Sequence, residues 1–271
     1  MENRIAVRLA GTALHRGGPA EVVLTRRAGP ITFAQRGAER ARASLSPVRT
    51  DRGVTVASAD GAVRVDLVEH LFAAIGGLGV CDGLLITTDD DELPLLDGGA
   101  ARFTEALLTL DLPRARRLRV TRAGSFDLDR SRYTFAPGPA VDVRVTIDFP
   151  APVGRQSAAW SGDAADFIAR IAPARTFGWT RELDALRAAG RAASVDPASV
   201  LIFDGDRLHA ACSAAGDDEP ARHKLLDLVG DLALHGGPPI GSIAAHAPGH
   251  GASHAVVVRA LAEGVLAEVP A

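Results

Sequence analysis

Apolar and polar positions alternate in short runs through the first hundred residues. Ile5–Leu9, Glu21–Thr25, Ile31–Phe33, Val54–Ala57 and Val63–Val65 are β-prone or alternating, and Gly, Pro, Asp or Ser separates most of them. The period then changes. After Asp66, which can cap a helix, Leu67, Leu71, Ala74, Ile75 and Leu78 recur at the spacing of a buried helical stripe, and Gly76–Gly79 ends it. Leu84–Thr88 predicts a further strand. Pro94 and the Gly98-Gly99 pair precede a second helix with Phe103, Leu107 and Leu110 on one side.

Leu112-Pro113, followed by Arg114, Arg116, Arg117 and Arg119, marks the expected boundary between units 1–112 and 113–271. Beyond it Leu118–Thr121, Tyr133–Phe135, Val141–Phe149 and Val200–Phe203 read as strands. Ala164–Ile171, Thr180–Ala189, Glu219–Leu234 and Ser253–Glu263 read as helices, with Thr180 as the expected cap of the second. Strands first and helices after, twice over, predict an α+β fold with an internal duplication of elements, although no repeat is visible residue by residue.

Composition narrows the function classes. Apolar residues make up 47% and charged ones 23%, a globular balance that excludes wholesale disorder. The formal net charge of -3 carries no basic footprint, so a nucleic-acid partner is not expected. The two cysteines, Cys81 and Cys212, are too few for a disulfide framework and form no CxxC pair. The first residues lack the apolar core of a signal peptide, and no apolar run approaches the roughly 20 residues that span a bilayer. A soluble protein of a reducing compartment is the expectation. Of the 30 basic residues, every one is arginine except Lys224. In a chain biased so strongly towards arginine, a surviving lysine marks a position to watch.

Four segments carry candidate chemistry. In Arg222-His223-Lys224-Leu225-Leu226-Asp227-Leu228-Val229-Gly230-Asp231, a helix turning about 100° per residue sets His223, Asp227 and Asp231 within roughly 80° of one another. His and Asp at i, i+4 can ligate one metal ion; the same pattern also describes a solvated helix face. In Val68-Glu69-His70, Glu69 fits the third position of a capping box begun by Asp66, with His70 beside the core stripe. Alternatively His70 is a third ligand and Glu69 the base beside it, because a catalytic zinc needs three protein ligands and a carboxylate that is not one of them. His250, in a Gly/Pro turn after the strand-like Ile240–Ala245, is either an acid partnered by Asp231 or an exposed loop histidine. Thr176, ahead of a helix, offers a hydroxyl to an oxyanion or is simply strand sequence. His209, His235, His246 and His254 show no obvious partner in the sequence.

Taken together and in order, these segments resemble the UDP-3-O-acyl-N-acetylglucosamine deacetylases, zinc enzymes of lipid A synthesis. Gly11-Thr12-Ala13-Leu14-His15-Arg16-Gly17 is similar to the family's Gly-x-Gly-Leu-His-x-Gly, and Val68-Glu69-His70-Leu71 to its Val-Glu-His-Leu. Pro94-Leu95-Leu96-Asp97-Gly98, Ala174-Arg175-Thr176-Phe177-Gly178 and Gly249-His250 match its Pro-x-x-Asp-Gly, Ala-Arg-Thr-Phe-Gly and Gly-His. Arg222-His223-Lys224-x-Leu226-Asp227-x-x-Gly230-Asp231-Leu232 matches its most characteristic stretch. Each motif alone is weak, but the ordered set is specific.

The resemblance implies two similar domains, each a small sheet with helices, packed as a β-α-α-β sandwich. It implies Zn2+ on His70, His223 and Asp227, with Glu69 as general base. It makes His250 the acid, oriented by Asp231, and Thr176 the oxyanion donor, with Lys224 and Phe177 contacting substrate. The substrate it implies is a nucleotide sugar carrying an acyl chain, deacetylated in the cytoplasm on the way to lipopolysaccharide. A lipid-like substrate leaves room for peripheral contact with the inner membrane, without a transmembrane segment. Departures occur at Ala13, at Gly99 in place of the usual serine, at Ala193–Val200 and at Ala214–Ala221, and the C-terminus is short. They leave two further readings: a paralogue acting on another N-acetylated amino sugar, or a catalytically silent binding or regulatory homologue.

Overall fold

The computed structural model describes residues 5–213, 216 and 218–269. Two hairpins open the chain, β1 (Ala6–Thr12) with β2 (Pro19–Arg26) and β3 (Thr32–Gln35) with β4 (Ala38–Ala41). A small sheet of β5 (Leu45–Arg49), β6 (Thr55–Ser58) and β7 (Arg64–Val65) follows. Then come α1 (Glu69–Leu78), β8 (Leu84–Thr87) and α2 (Ala101–Thr109). Strand β8 inserts between the hairpins, antiparallel to β2 and parallel to β3.

The second half repeats this plan. After β9 (Leu118–Val120) come hairpins β10 (Gly124–Leu128) with β11 (Ser131–Ala136) and β12 (Val141–Asp148) with β13 (Arg155–Trp160). The short α3 (Ala164–Asp166) runs into a wider turn over Phe167–Ile171. A small sheet is built from β14 (Thr176–Trp179), β15 (Val200–Asp204) and β16 (Arg207–Leu208), with α4 (Thr180–Ala188) crossing over between the first two. The chain ends with α5 (Glu219–Leu234), β17 (Gly241–His246), α6 (His250–Ala262) and β18 (Leu266–Glu268). Strand β17 inserts between its hairpins, antiparallel to β11 and parallel to β12. Both five-stranded sheets thus share one topology, and each draws its strands from one side of Leu112-Pro113. We propose 1–112 and 113–271 as the two units on that basis.

The helices lie between the sheets. Helix α1 packs on α5, Phe72 of α1 stacks on Phe33 of β3 at 6.0 Å between ring centroids, and α5 lies on β12 and β13. Arginines lock the layers. Arg116 donates to the Gly76 and Gly162 carbonyls at 2.7 and 3.2 Å and stacks over Trp160. Arg42 donates to Ala233 and Leu234 at the end of α5. Cations placed at helix C-termini are favoured by the exposed carbonyl dipoles.

Tertiary contacts overturn five local expectations. Every residue of α1 is buried, because the helix is sandwiched, so it carries no single apolar stripe. Leu67 precedes the helix in a left-handed conformation, with φ of 58°. Asp66 does not cap α1: its carboxylate accepts from Thr55 and Arg49 at 2.6 and 2.7 Å, and Glu69 is the first helical residue. Thr180 donates to Asp204 at 2.8 Å instead of capping α4. Helix α6 begins at His250, three residues before the expected start, so His250 is helical.

Candidate active site

The site is assembled where α1 crosses α5. A Cβ on Gly230 would overlap the Glu69 carbonyl oxygen, and one on Gly76 would come within 2.9 Å of the Val229 carbonyl. The two glycines therefore let the helix backbones touch. That contact sets the start of α1, with Glu69 and His70, beside the stripe of α5 that carries His223, Asp227 and Asp231.

One donor atom from each of His70, His223 and Asp227 lies within 4.8 Å of the others, and all three residues are buried. His223 donates from Nδ1 to the Ala174 carbonyl at 3.0 Å, which turns Nε2 towards Asp227 Oδ1, 3.4 Å away. The His70 ring stands edge-on to His223, and its Nδ1 is buried without a hydrogen-bond partner among the described residues. Burial pushes His70 down to about 3, helped by the neighbouring His223, and it also lowers His223, so both rings are neutral. Burial opposes ionisation of Asp227, yet Lys224, His223, His250 and His70 hold its carboxyl below the usual range. Two neutral imidazoles and a carboxylate, converging with an orphaned nitrogen among them, fit a divalent metal ion with an open position.

Two further groups flank this triad. Glu69 accepts the Val54 N–H on Oε2 at 2.9 Å, and burial pushes its carboxyl up to about 7 against the opposing pull of His250. Gly53, with φ of 134°, makes room for it, since a Cβ there would stand 3.0 Å from Glu69 Oε1. His250 donates from Nδ1 to Asp231 Oδ1 at 2.8 Å, and its Nε2 lies 3.9 Å from Asp227 Oδ2. Desolvation disfavours its charge, but Asp231, Asp227 and Glu69 outweigh that and raise it to about 9. A carboxyl raised towards neutrality and an imidazole raised by its acidic neighbours thus flank the triad.

A cavity of about 630 Å³ opens onto these groups. Thr176 and Phe177 form part of its wall, and Lys224 lines it while donating to Asp227 Oδ2 at 2.6 Å. Leu14, Leu67, Val195, Val200 and Ile202 make an apolar arm. All the expected residues line the cavity except Asp231, which lies behind His250. Of the departures, Val195 and Val200 belong to the apolar arm, and Ala214, Ala215 and Asp217 lie outside the described residues. A Cβ on Gly99 would come within 2.5 and 2.7 Å of the Ala172 and Ala174 carbonyls. Its lack of a side chain lets the segment ahead of β14, whose Ala174 carbonyl anchors His223, close in.

The sequence reading passed over several residues found here. His15, Arg52, Arg130, Trp179 and Arg181 line the cavity. Of these, His15 belongs to the Gly-Thr-Ala-Leu-His motif and Trp179 closes the Ala-Arg-Thr-Phe-Gly-Trp segment, whereas Arg52, Arg130 and Arg181 carry no local signal. Contrary to the expectation of no partner, His254 lies 2.9 Å from His235 and 3.4 Å from Asp231. Because α6 begins at His250, His254 follows one turn on, on the same helix face.

A buried His-His-Asp group that could hold a metal ion thus lies beside the Glu69 carboxyl and the His250 imidazole between the sheets of an α+β fold, an arrangement suited to metal-assisted hydrolysis. The sequence profile described as LpxC, UDP-3-O-acyl N-acetylglycosamine deacetylase, matches residues 4–263. Proteins named UDP-3-O-acyl-N-acetylglucosamine deacetylase from Brucella melitensis, Brucella ovis and Brucella abortus are 37% identical over 257 residues, covering 90% of this chain and 89% of each relative. The chain belongs to the UDP-3-O-acyl-N-acetylglucosamine deacetylase family.

Proposed function

We propose that the protein is a zinc-dependent N-deacetylase of UDP-3-O-acyl-N-acetylglucosamine, acting in the cytoplasm in lipid A biosynthesis. The observation that carries the reading is the convergence of His70, His223 and Asp227 beside Glu69 and His250. A zinc ion on the three ligands would supply a Lewis acid that polarises the amide carbonyl and acidifies water. Glu69, with a pKa near neutrality, takes the proton of the attacking water as its oxygen bonds to the carbonyl carbon. His250, protonated and held by Asp231, gives its Nε2 proton to the nitrogen as the C–N bond breaks, releasing acetate and the amine. Thr176 donates its hydroxyl to the developing oxyanion from the cavity wall. Lys224 offers a compact charge to the substrate from beside Asp227, and Phe177 supplies an aromatic wall.

The apolar arm lined by Leu14, Leu67, Val195, Val200 and Ile202 suits an acyl chain. That supports the acylated sugar over a simple N-acetyl amino sugar. Among the described residues no helix is long and apolar enough to cross a membrane. The deciding experiment is acetate release from UDP-3-O-acyl-N-acetylglucosamine by purified protein, with and without a chelator. Chelator-sensitive release is expected. A zinc-loaded protein inert on this substrate overturns the reading.

A further inference from the structure

The polar seam between α5 and α6 continues one turn beyond the acid. Helix α5 presents Asp227 and Asp231, its C-cap residue His235 follows at the same four-residue interval, and α6 presents His250 and His254, so the two meet rung by rung. His250 fills the first rung, between Asp227 and Asp231. His254 fills the second. Its Nε2, buried and without a hydrogen-bond partner among the described residues, stands 3.4 Å from Asp231 Oδ1, the same oxygen that holds His250, and its Nδ1 lies 2.9 Å from His235 Nε2. His254 is buried, His235 is half-buried, and neither lines the cavity.

Two imidazoles withdrawn from water carry a desolvation cost that apolar side chains would not. They do not form a metal site, because His254 faces its two neighbours with opposite ring nitrogens and the donors diverge. Burial lowers His254, and burial together with His254 pushes His235 down to about 4, so both rings are neutral. A neutral ring between a carboxylate and a second imidazole has one favoured tautomer. That tautomer places the proton on Nε2, which faces the acceptor-only Asp231 across 3.4 Å, and leaves Nδ1 to accept from His235 Nε2–H.

We propose that His254, held in this tautomer by His235, is a positioning residue that fixes the Asp231 carboxylate and thereby aims His250 at the leaving nitrogen. The proposal rests on the reading of His250 as the acid. Tyr133 of β11, which bonds Ser253 at 2.9 Å and interacts with Gly249, also lies within the field of Asp231 but makes no hydrogen bond to it among the described residues. Outer partners of this kind typically change rates by about 10–100-fold when removed.

The test uses the zinc-loaded full chain and its H254F, H254Q and H235F variants. Three quantities are read: kcat and KM for acetate release, bound zinc, and the proton resonance of His250 Nδ1–H. H254F is expected to lower kcat about tenfold or more with KM and zinc unchanged, and to move the resonance. H254Q, which keeps an N–H within reach of Asp231, is expected to recover most of the loss, with H235F intermediate. Should H254F fail to fold, H235F carries the test from the half-exposed end of the pair. A kcat within about twofold of the unsubstituted protein, an unmoved resonance, or equal losses in H254F and H254Q each overturn the positioning role. Absence of acetate release from the unsubstituted protein overturns the function instead, and the resonance comparison still judges the positioning.

Discussion

Gly230 of α5 lies against the backbone carbonyl of Glu69 on α1, with no room for a methyl group between them. This contact fixes the distance between the helix that supplies Glu69 and His70 and the helix that supplies His223 and Asp227. The substitution Gly230→Ala must therefore separate the helices at the site itself. Overpacking of a close core contact costs about 1–3 kcal/mol. The expected outcome is a lower Tm together with a lower zinc stoichiometry, read by thermal denaturation and metal analysis. An alanine variant with unchanged zinc content would show that the crossing does not set the ligand geometry.

Glu69 and His250 flank the proposed ligands His70, His223 and Asp227 without belonging to them. Glu69→Gln and His250→Ala should each retain zinc while reducing acetate release about 10²–10⁴-fold, the range of a lost general base or acid. Metal analysis beside the rate assay separates this from loss of the ion. Full activity in either variant contradicts the assigned roles.

Lys224 reaches Asp227 Oδ2 at 2.6 Å from a largely buried position. A planar guanidinium cannot occupy the place of a compact ammonium beside two imidazoles without displacing them. Loss of one charge-assisted hydrogen bond costs about 1.5–3 kcal/mol, so Lys224→Arg should lower kcat/KM by about tenfold or more. The exposed Arg8→Lys is the control, expected to leave kcat/KM unchanged. Equal behaviour of the two variants would reduce the single lysine to an accident of composition.

His15 gives a pH dependence of stability. Its ring is buried, donates from Nε2 to Arg52 O at 2.9 Å, and is lowered to about 4 by burial and then by Arg191. The folded state binds this proton less readily than the unfolded chain does. The resulting stability is therefore fully present above pH 6.5 and is lost as the pH falls through about 4, amounting to about 3 kcal/mol at most. Urea denaturation between pH 4 and 7 should show a shallower pH dependence in His15→Gln than in the parent. Parallel pH curves for the two proteins would rule His15 out as the titrating group.

Much of the local structure was legible. The expected span of α5, Glu219–Leu234, coincides with the observed one, because its apolar spacing is sustained over four turns. The relation among His223, Asp227 and Asp231 was also legible, since neighbours at i, i+4 within one helix are related by backbone geometry alone. Strands β8, β12 and β15 were visible as apolar or alternating runs. Edge strands such as β4 (Ala38–Ala41) were not, because half-exposed, charge-bearing residues carry little periodic signal.

Relations between elements belonged to the tertiary structure. The start of α1 followed from its burial between a sheet and α5, which overrode the cap offered by Asp66. The pairing of His254 with His235 and Asp231 followed from where α6 begins and from its packing on α5. The raised carboxyl of Glu69 and the raised imidazole of His250 followed from desolvation and from charges brought in by distant segments. The sequence by itself determined the chemistry available on each helix, since covalent spacing sets which side chains share a face. Only the packing of α1 on α5 and α6 decided that they meet as one site, because distances between elements, and the solvent excluded between them, are properties of the assembled core.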